Sequence, residues 1–386
     1  MSDERNSKQL RLFVSAGEPS GDLHAGNFIR AFLKIRPDAE FAALGGPQME
    51  AAGARLLHNM LAEFAVMGVI DAVKVVPAIR RLRNETLEFL DAWKPAAAVL
   101  VDYPGFNVNL ALHLKRRGVP VFYYICPQVW AWAPWRIRKI ARRVDKALVV
   151  FPFEKPIYER AGIPVEYVGH PLGDVFASRR LDGNFIGNGP LAGATLLVSL
   201  LPGSRRREIT AGFPVKAAAA KIIKSARPEA RFAVPVTCDE HAEIVKDIAR
   251  REGLECAVLV DKTYEAMSMS HFALTTSGTA TLELAHFGVP MAVLYRTNIL
   301  GLALKKILVT TKHIALVNIV AGKEIVPELV YAANHAEKIA GLALGILNDA
   351  SRLSETRREV RAVGALIDQP GASARAAQAV LEQIHT

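Results

Sequence analysis

Asp102 closes the wholly apolar run Ala96–Val101 and is followed at once by Tyr103-Pro104-Gly105. A carboxylate at the carboxyl end of a buried strand is placed to act as a general base, because partial burial raises its pKa toward neutrality. The same side chain can also serve as an Asx-turn residue ahead of Pro104. In "TLLVSLLPGSRRREI", a β-rich run ends in Gly203 and Ser204 and is followed by Arg205, Arg206 and Arg207. Free backbone amides, guanidinium groups and the positive end of a following helix together suit a phosphate, although a solvated basic turn has the same composition. In "TTSGTATLE", Ser277, Gly278 and Thr279 open another helix, and Glu283 sits a little over one turn inside it. Near an anion a carboxylate at that position suits a ribose diol better than a phosphate, and plain helix capping is the alternative. Two anion-friendly loops in one half of the chain point to a nucleotide diphosphate.

A fourth loop, "SAGEPSGDLHAGN", joins the apolar run Leu10–Val14 to a helical pattern. Gly17 and Gly21 are four apart, which does not fit the dinucleotide fingerprint G-x-G-x-x-G. Glu18 and Asp22 would also repel a pyrophosphate. The loop is read either as a site for a hydroxyl-rich ligand or as a tight turn in which Asp22 caps the helix.

These loops need rigid elements behind them. Strands are predicted at Arg11–Ser15, Ala96–Val101, Pro120–Ile125, Ala147–Phe151 and Val165–Val168, with helices at Gly21–Lys34, Ile79–Trp93 and Asn107–Arg117. After the glycine-rich, aperiodic Gly169–Gly193 a second series follows: "TLLVSLLPGS", "ARFAVPV", "CAVLV", "HFALTTSGT" and "VPMAVLY". Apolar runs alternating with helices predict α/β architecture, with two doubly wound parallel sheets facing across a cleft and ligands at the carboxyl ends of the strands. The expected division is 1–170, a linker at 171–193, a second domain at 194–350, and C-terminal helices at 351–386 for which the first domain offers a packing surface.

With 386 residues, 22% charged and 51% apolar, the chain is long enough for two cores. A net charge of +10 suits an anionic partner: nucleotide phosphates, nucleic acid or an acidic membrane surface. Cys126, Cys238 and Cys256 are too few and too scattered for a disulfide framework or a zinc site, which fits a reducing compartment. No apolar h-region opens the chain, so no signal peptide is expected, and no run of about 20 apolar residues predicts a membrane span. Neither an Asp-x-Asp motif nor a His/Cys cluster with metal spacing occurs, so arginines and helix ends are expected to neutralise a departing diphosphate.

Trp130, Trp132 and Trp135 precede Arg136, Arg138, Lys139, Arg142 and Arg143, a mixture that can stack nucleic-acid bases. The spacing of Ile137, Ile140, Val144 and Leu148 favours a core-packed helix with a charged outer face. In "LAEFAVMGVIDAVKVVPAIRRLR", Val66, Val69, Ile70 and Val73 form one helical stripe, widened by Met67 and Val75, with Arg80, Arg81 and Arg83 directly after it. "NILGLALKKILVTTKH" repeats the pattern with Ile299, Leu302, Ala303 and Lys305, Lys306, Lys312. Such stretches fit either a core helix or the interface of an anionic bilayer.

Taken together, "GEPSGD", "AVMG", "DYPGFN", "PQVWAW", "PFE", "GHPL", "LPGSR", "SGTATLE" and "VNIVAG" resemble lipid-A-disaccharide synthase, in the order of that family and from about Val14 to Lys323. The resemblance implies two Rossmann-like domains of the GT-B glycosyltransferase type and a metal-independent, cofactor-free transfer. The donor would be UDP-2,3-diacylglucosamine and the acceptor lipid X, joined by a β-1,6 linkage with inversion. It implies Asp102 as the base that deprotonates the acceptor 6-hydroxyl. Glu18, Ser20, Gly21 and Asp22 would face a sugar-lipid, and Gly203, Ser204 and Arg205 with Ser277, Gly278 and Thr279 the diphosphate. Glu283 would take the ribose, with Asn318 nearby. The stripe Val66, Met67, Val69, Ile70 and Val73 would face the anionic inner membrane, on the cytoplasmic side, and a homodimer is left open. Cys126 stands where serine is common, and Arg206 and Arg207 fall at variable positions and receive no role. The alternatives are another GT-B UDP-sugar enzyme, such as a peptidoglycan glycosyltransferase or an epimerase, or a basic nucleic-acid-binding protein.

Overall fold

The apolar runs pair as two separate, all-parallel sheets, each flanked by helices. The computed structural model describes residues 9–61, 72–131, 133–182, 191, 193–297, 311–333 and 335–384. Its contacts divide the chain into two units, Met1–Asp174 with Gln369–Thr386, and Val175–Asp368.

The first unit runs β1 (Arg11–Ser15), α1 (Pro19–Ile35), β2 (Glu40–Gly45), α2 (Pro47–Ala51), β3 (Arg55–Asn59), α3 (Ala72–Trp93) and β4 (Ala97–Val101). It continues with α4 (Pro104–Lys115), β5 (Val121–Tyr124), α5 (Ile137–Ala141), β6 (Lys146–Val149), α6 (Lys155–Arg160), β7 (Val165–Tyr167) and α7 (Leu172–Ser178), which leads into the second unit. Every residue of β4 and β5 is buried, as required of strands covered on both faces. The sheet order is β3-β2-β1-β4-β5-β6-β7. Winding therefore reverses between β1 and β4, which are paired from Leu12↔Ala97 to Ser15↔Leu100. A reversal of this kind leaves a crevice at the carboxyl ends of the two strands. The glycine loop leaves β1 there, and Asp102 leaves β4.

The second unit contains β8 (Leu196–Leu200), α8 (Arg206–Ala226), β9 (Ala230–Val236), α9 (Asp239–Glu252), β10 (Ala257–Val260), α10 (Thr263–Met269), β11 (Phe272–Thr276) and α11 (Ala280–His286). Then come β12 (Met291–Arg296), α12 (Leu316–Ala321), β13 (Glu328–Tyr331), α13 (Ala336–Leu347) and α14 (Ala350–Ile367). Its order, β10-β9-β8-β11-β12-β13, reverses between β8 and β11, where both anion-friendly loops emerge.

The final helices part company. α14 packs on α11 in the second unit, whereas α15 (Ala372–Ile384) packs on α1 in the first. The Asp174 carboxylate accepts from the amides of Gly371 and Ser373 (2.8 Å to Ser373), and so caps α15. Arg375 donates to the Val168 carbonyl at 2.7 Å and fastens the same corner.

Between α11 and α14 the contact is backbone to backbone, since a β-carbon on Gly364 would stand 2.3 Å from the Ala285 carbonyl oxygen. Gly364→Ala must push the two helices apart. The expected cost is about 1–3 kcal/mol, the usual scale of overpacking, read as a lower urea midpoint. An unchanged midpoint would show that the helices yield freely at this point.

Candidate active site

At the end of β4 the backbone turns through two consecutive left-handed, non-glycine residues, Asp102 (φ 45°) and Tyr103 (φ 49°). Each such residue costs about 1–2 kcal/mol, so the surroundings must hold the turn in place. The Asp102 amide donates to the Tyr124 carbonyl at 3.1 Å, which continues the β4–β5 ladder by one residue. Its carbonyl accepts from the Asn107 side-chain amide at 2.9 Å and from the Tyr123 hydroxyl at 2.7 Å. Asn107 is wholly buried; its amide nitrogen also lies 3.2 Å from the Val101 and Ser15 carbonyls, and its oxygen accepts from the Ser15 hydroxyl at 2.8 Å. One side chain thus ties the ends of β1 and β4 together.

Held this way, the Asp102 carboxyl is pushed up to about 6, first by desolvation and then by the negative charge of Glu18, with the Tyr103 amide acting in opposition. Helix α4 is N-capped by Tyr103 with no side-chain bond, so the Asp102 carboxylate is not consumed as a cap. A half-buried carboxyl that titrates near neutrality is suited to take a proton from a hydroxyl.

The small residues of the β1–α1 loop have another explanation than a ligand. A β-carbon on Gly17 would lie 2.3 Å from the Tyr103 ring, and one on Gly26 2.7 Å from the Gln48 carbonyl oxygen. A β-carbon on Gly21 would stand 3.3 Å from the Ala16 methyl. The close approach that the glycines permit is made by the chain itself. Asp22 is a related case. It is buried, and its two oxygens accept from the amides of Gly46 (2.8 Å), Gln48 (3.0 Å) and Met49 (3.2 Å). Asp22 therefore caps α2 from across the loop, where the sequence suggested a sugar contact or a cap on its own helix. Glu18, the N-cap residue of α1, is half-buried and close enough to raise Asp102, and Ser20 is exposed beside it.

In the second unit, Gly203 (φ 113°) makes a turn that only glycine adopts readily, and the Ser204 amide donates to Glu208 Oε2 at 3.1 Å. Arg205 is exposed, with a guanidinium nitrogen 3.7 Å from Glu208 Oε1, while Arg206 pairs with Glu240 at 2.9 Å. The loop after β11 lies next to this one in the sheet. Its Ser277 hydroxyl donates to the Ile314 carbonyl at 3.0 Å, and Gly278 (φ 151°) faces open space. Thr279 starts α11. Glu283 accepts from the Tyr264 hydroxyl at 3.1 Å, and burial raises its pKa.

Asn318 is spent inside the protein. Its amide nitrogen donates to the Val326 carbonyl (2.8 Å) and to Glu328 (2.6 Å), and its oxygen accepts from the amides of Ile325 (2.8 Å) and Val326 (3.0 Å). Glu328 in turn accepts from the amides of Ile314 (2.8 Å) and Ala315 (3.1 Å). Asn318 therefore supports the segment on which Ser277 rests, and has no capacity left for a ribose.

The tryptophan-rich stretch is largely internal: Trp130 donates to Glu154 at 3.0 Å and packs edge-on to Phe153, and Ile140 and Val144 are buried. Trp135 is exposed, and Trp132 lies outside the described residues. Val66, Met67, Val69 and Ile70 also lie outside them, as do Ile299, Leu302, Ala303, Lys305 and Lys306; Val73 belongs to α3. No described helix is long and apolar enough to cross a membrane. Among the described residues, no group of three His, Cys, Asp or Glu side chains could hold a metal ion.

The sequence reading assigned no role to Asn107, Tyr123 or Glu208. Asn107 stood in view as the last residue of "DYPGFN", but nothing local shows that its amide reaches back to β1.

Comparison with known proteins covers nearly the whole chain. The family model described as lipid-A-disaccharide synthetase matches residues 12–382. The lipid-A-disaccharide synthase of Geobacter metallireducens is 39% identical over 375 residues, covering 97% of each chain. That of Syntrophus aciditrophicus is 37% identical over 380 residues, covering 98% of each. Among solved structures, a Staphylococcus aureus MnaA–UDP complex superposes with a TM-score of 0.66 at 13% identity, covering 97% of each chain. The UDP-GlcNAc 2-epimerase of Neisseria meningitidis bound to UDP-GlcNAc gives 0.62 at 14% identity, covering 96% of this chain and 99% of that one. At such identities the likeness concerns the fold alone.

Asp22→Ala separates the structural from the ligand role of this side chain. It leaves three amides at the start of α2 without an acceptor, so stability should fall by about 1–3 kcal/mol in urea unfolding. Full stability with a raised KM for a sugar substrate would return Asp22 to the ligand side.

Proposed function

The chain belongs to the lipid-A-disaccharide synthetase family and is a glycosyltransferase of lipid A biosynthesis, and from that premise we propose the reaction and the residues that perform it. The donor is UDP-2,3-diacylglucosamine and the acceptor is the 6-hydroxyl of 2,3-diacylglucosamine 1-phosphate, lipid X. Asp102 accepts the hydroxyl proton as the oxygen attacks the anomeric carbon of the donor. The bond from that carbon to the diphosphate oxygen breaks on the opposite face, so the configuration inverts and UDP leaves. Asp102 then returns its proton to solvent. The observation that carries this reading is the strained Asp102–Tyr103 turn at the switch point of the first sheet, with its carboxyl pushed up to about 6.

The acceptor is bound by the first unit, with Glu18, Ser20 and the backbone at Gly21 as its polar contacts. Asp22 keeps α2 in place beside them. The diphosphate is bound by the second unit. The charge that develops on it is met by the Gly203 and Ser204 amides and Arg205 on one side, and by Ser277, Gly278 and Thr279 on the other. Glu283 takes the ribose.

Peripheral attachment to the anionic inner membrane completes the reading. Both substrates carry acyl chains, and the stripe Val66, Met67, Val69, Ile70 and Val73 leads into Arg80, Arg81 and Arg83, of which Arg81 is 82% exposed.

Asp102→Asn should lower turnover by about 100-fold or more while UDP binding is kept, as measured by mass spectrometry of the disaccharide phosphate and by calorimetry. The base works deprotonated, so wild-type activity should fall about tenfold per pH unit below 6, and the residual activity of the variant should lack that limb. Near-normal turnover in the variant would reduce Asp102 to a turn residue.

Replacing Val66, Val69, Ile70 and Val73 together by serine should leave the fold intact and reduce flotation with anionic liposomes. A collapse of thermal stability with unchanged flotation of the surviving protein would put the stripe in the core, where each such change costs about 1–4 kcal/mol.

A further inference from the structure

Lys216, on α8, is completely buried. Lysine is almost never found so deep unless it is paired, and among the described residues no carboxylate lies within ion-pair distance of it. Its ammonium donates to the Leu201 carbonyl at 2.8 Å. Leu201 is the last residue before Pro202-Gly203-Ser204-Arg205, and its amide donates to the Leu274 carbonyl of β11 at 2.9 Å. The buried cation is thus fixed to the point where both anion-friendly loops leave the sheet.

Its surroundings are almost uncharged. Strands β8 and β9 and helices α9 and α13 share a core with α8, to which they contribute Val198, Val234, Ile248, Ile339 and Ala343. Glu208, two turns back on α8, is the charged group that favours the ammonium. Arg296 of β12 donates to the Ala211 carbonyl of the same helix. Burial dominates, and the group is brought down to about 7. The Glu208 carboxylate is engaged by the loop itself, since it accepts from the Ser204 amide. A diphosphate entering the loop brings at least two further negative charges to the other side of the Leu201–Arg205 backbone.

We propose that Lys216 is a positioning residue for the nucleotide: as the diphosphate seats in front of the loop, the amine behind it takes one proton from solvent, and the ammonium then holds the loop and balances the charge. This rests on the reading that the Gly203–Arg205 loop holds the diphosphate of UDP. The consequence is that nucleotide affinity depends on pH in a range where the UDP phosphates no longer titrate. Above about 7 the free amine is mainly neutral and must be protonated on binding, so affinity falls by up to tenfold per pH unit. Retention of an ammonium in an apolar core is costly, and a role that exists only when the nucleotide is bound accounts for it.

The test is calorimetric titration of the full chain with UDP at pH 8.0, in buffers of different ionisation enthalpy. The slope of the observed heat against ionisation enthalpy counts protons taken up. Wild type should take up close to one proton, Lys216→Met close to none, and Glu208→Gln should retain the uptake. Lys216→Met should also bind more weakly at pH 7, by about tenfold, and lose the decline in affinity between pH 7 and 9. UDP binding to wild type without proton uptake would overturn the proposal and leave the diphosphate reading standing. Uptake that persists in Lys216→Met and vanishes in Glu208→Gln would assign the proton to Glu208 and overturn it as well. If wild type does not bind UDP at all, the diphosphate reading itself falls. The wild-type proton count needs no variant, so it decides the matter even if Lys216→Met fails to fold.

Discussion

A single buried amide organises the first unit. Asn107 reaches from the first turn of α4 to the carbonyls of Val101 and Asp102 on one side and to both the carbonyl and the hydroxyl of Ser15 on the other. β1 and β4 are neighbours at the reversal of the sheet, and Asn107 answers buried polar groups at the ends of both strands. By doing so Asn107 makes the left-handed turn at Asp102 and Tyr103 affordable. With the turn in place, the Tyr103 ring swings over Gly17, and the Asp102 carboxyl is left near Glu18 in surroundings that keep it from ionising easily. The chemistry of this unit follows from a hydrogen-bond requirement of its topology.

Three carboxylates elsewhere in the molecule are used against amides at the starts of helices. Asp22 serves α2, Asp174 serves α15, and Glu208 serves the Ser204 amide at the entrance to α8. Each lies distant in sequence or on a later turn, and each immobilises a loop beside a sheet. Of the amides held by the first two, those of Gly46, Met49 and Ser373 belong to buried residues. Glu208 differs because the amide it holds belongs to a partly exposed loop. Asp102 stands apart from all three: one backbone amide favours its ionised form, and desolvation and Glu18 work against it. Asp22 accepts from three amides and Asp174 from two, whereas Asp102 has one and burial outweighs it.

Much of this could be read in the sequence, and the limits have physical causes. The sequence pattern predicts Arg11–Ser15 to the residue and β4, β5, β6 and β7 within two residues at either end; for β4 and β5 the reason is that buried parallel strands are unbroken apolar runs. β2, β3 and β13 went unread. β3 has no buried residue and no apolar period, and β13 has only four residues directly after Pro327. The sequence shows the turns themselves where a residue bends its own backbone, as at Asp102, Gly203 and Gly278. The site was not legible where a side chain answers to distant backbone. Asp22 and Asn318 had the right residue types for sugar and ribose contacts, yet their partners are amides and carbonyls that only the fold brings near. Asn107 and Lys216 were passed over for the same reason.

Two of the ionisable groups shifted toward neutrality, one in each unit, bear on stability with opposite signs of titration. Asp102 has a folded-state pKa above its ordinary value, so its neutral form favours the fold at low pH, and that contribution is lost as pH rises through about 6. Lys216 has a folded-state pKa below its ordinary value, so the unfolded chain holds more protons from about 7 upward and the fold gains stability as pH climbs toward the usual lysine range. Near pH 7 the protein therefore carries the cost of both at once, an ionised carboxylate in partly apolar surroundings and an ammonium in a dry core. Neither cost supports the packing around it, since an asparagine at 102 or a methionine at 216 could fill the same space without it. Both groups lie at sheet reversals, and in the proposed reaction an incoming diphosphate would supply the opposite charge to Lys216 while the acceptor hydroxyl would give its proton to Asp102.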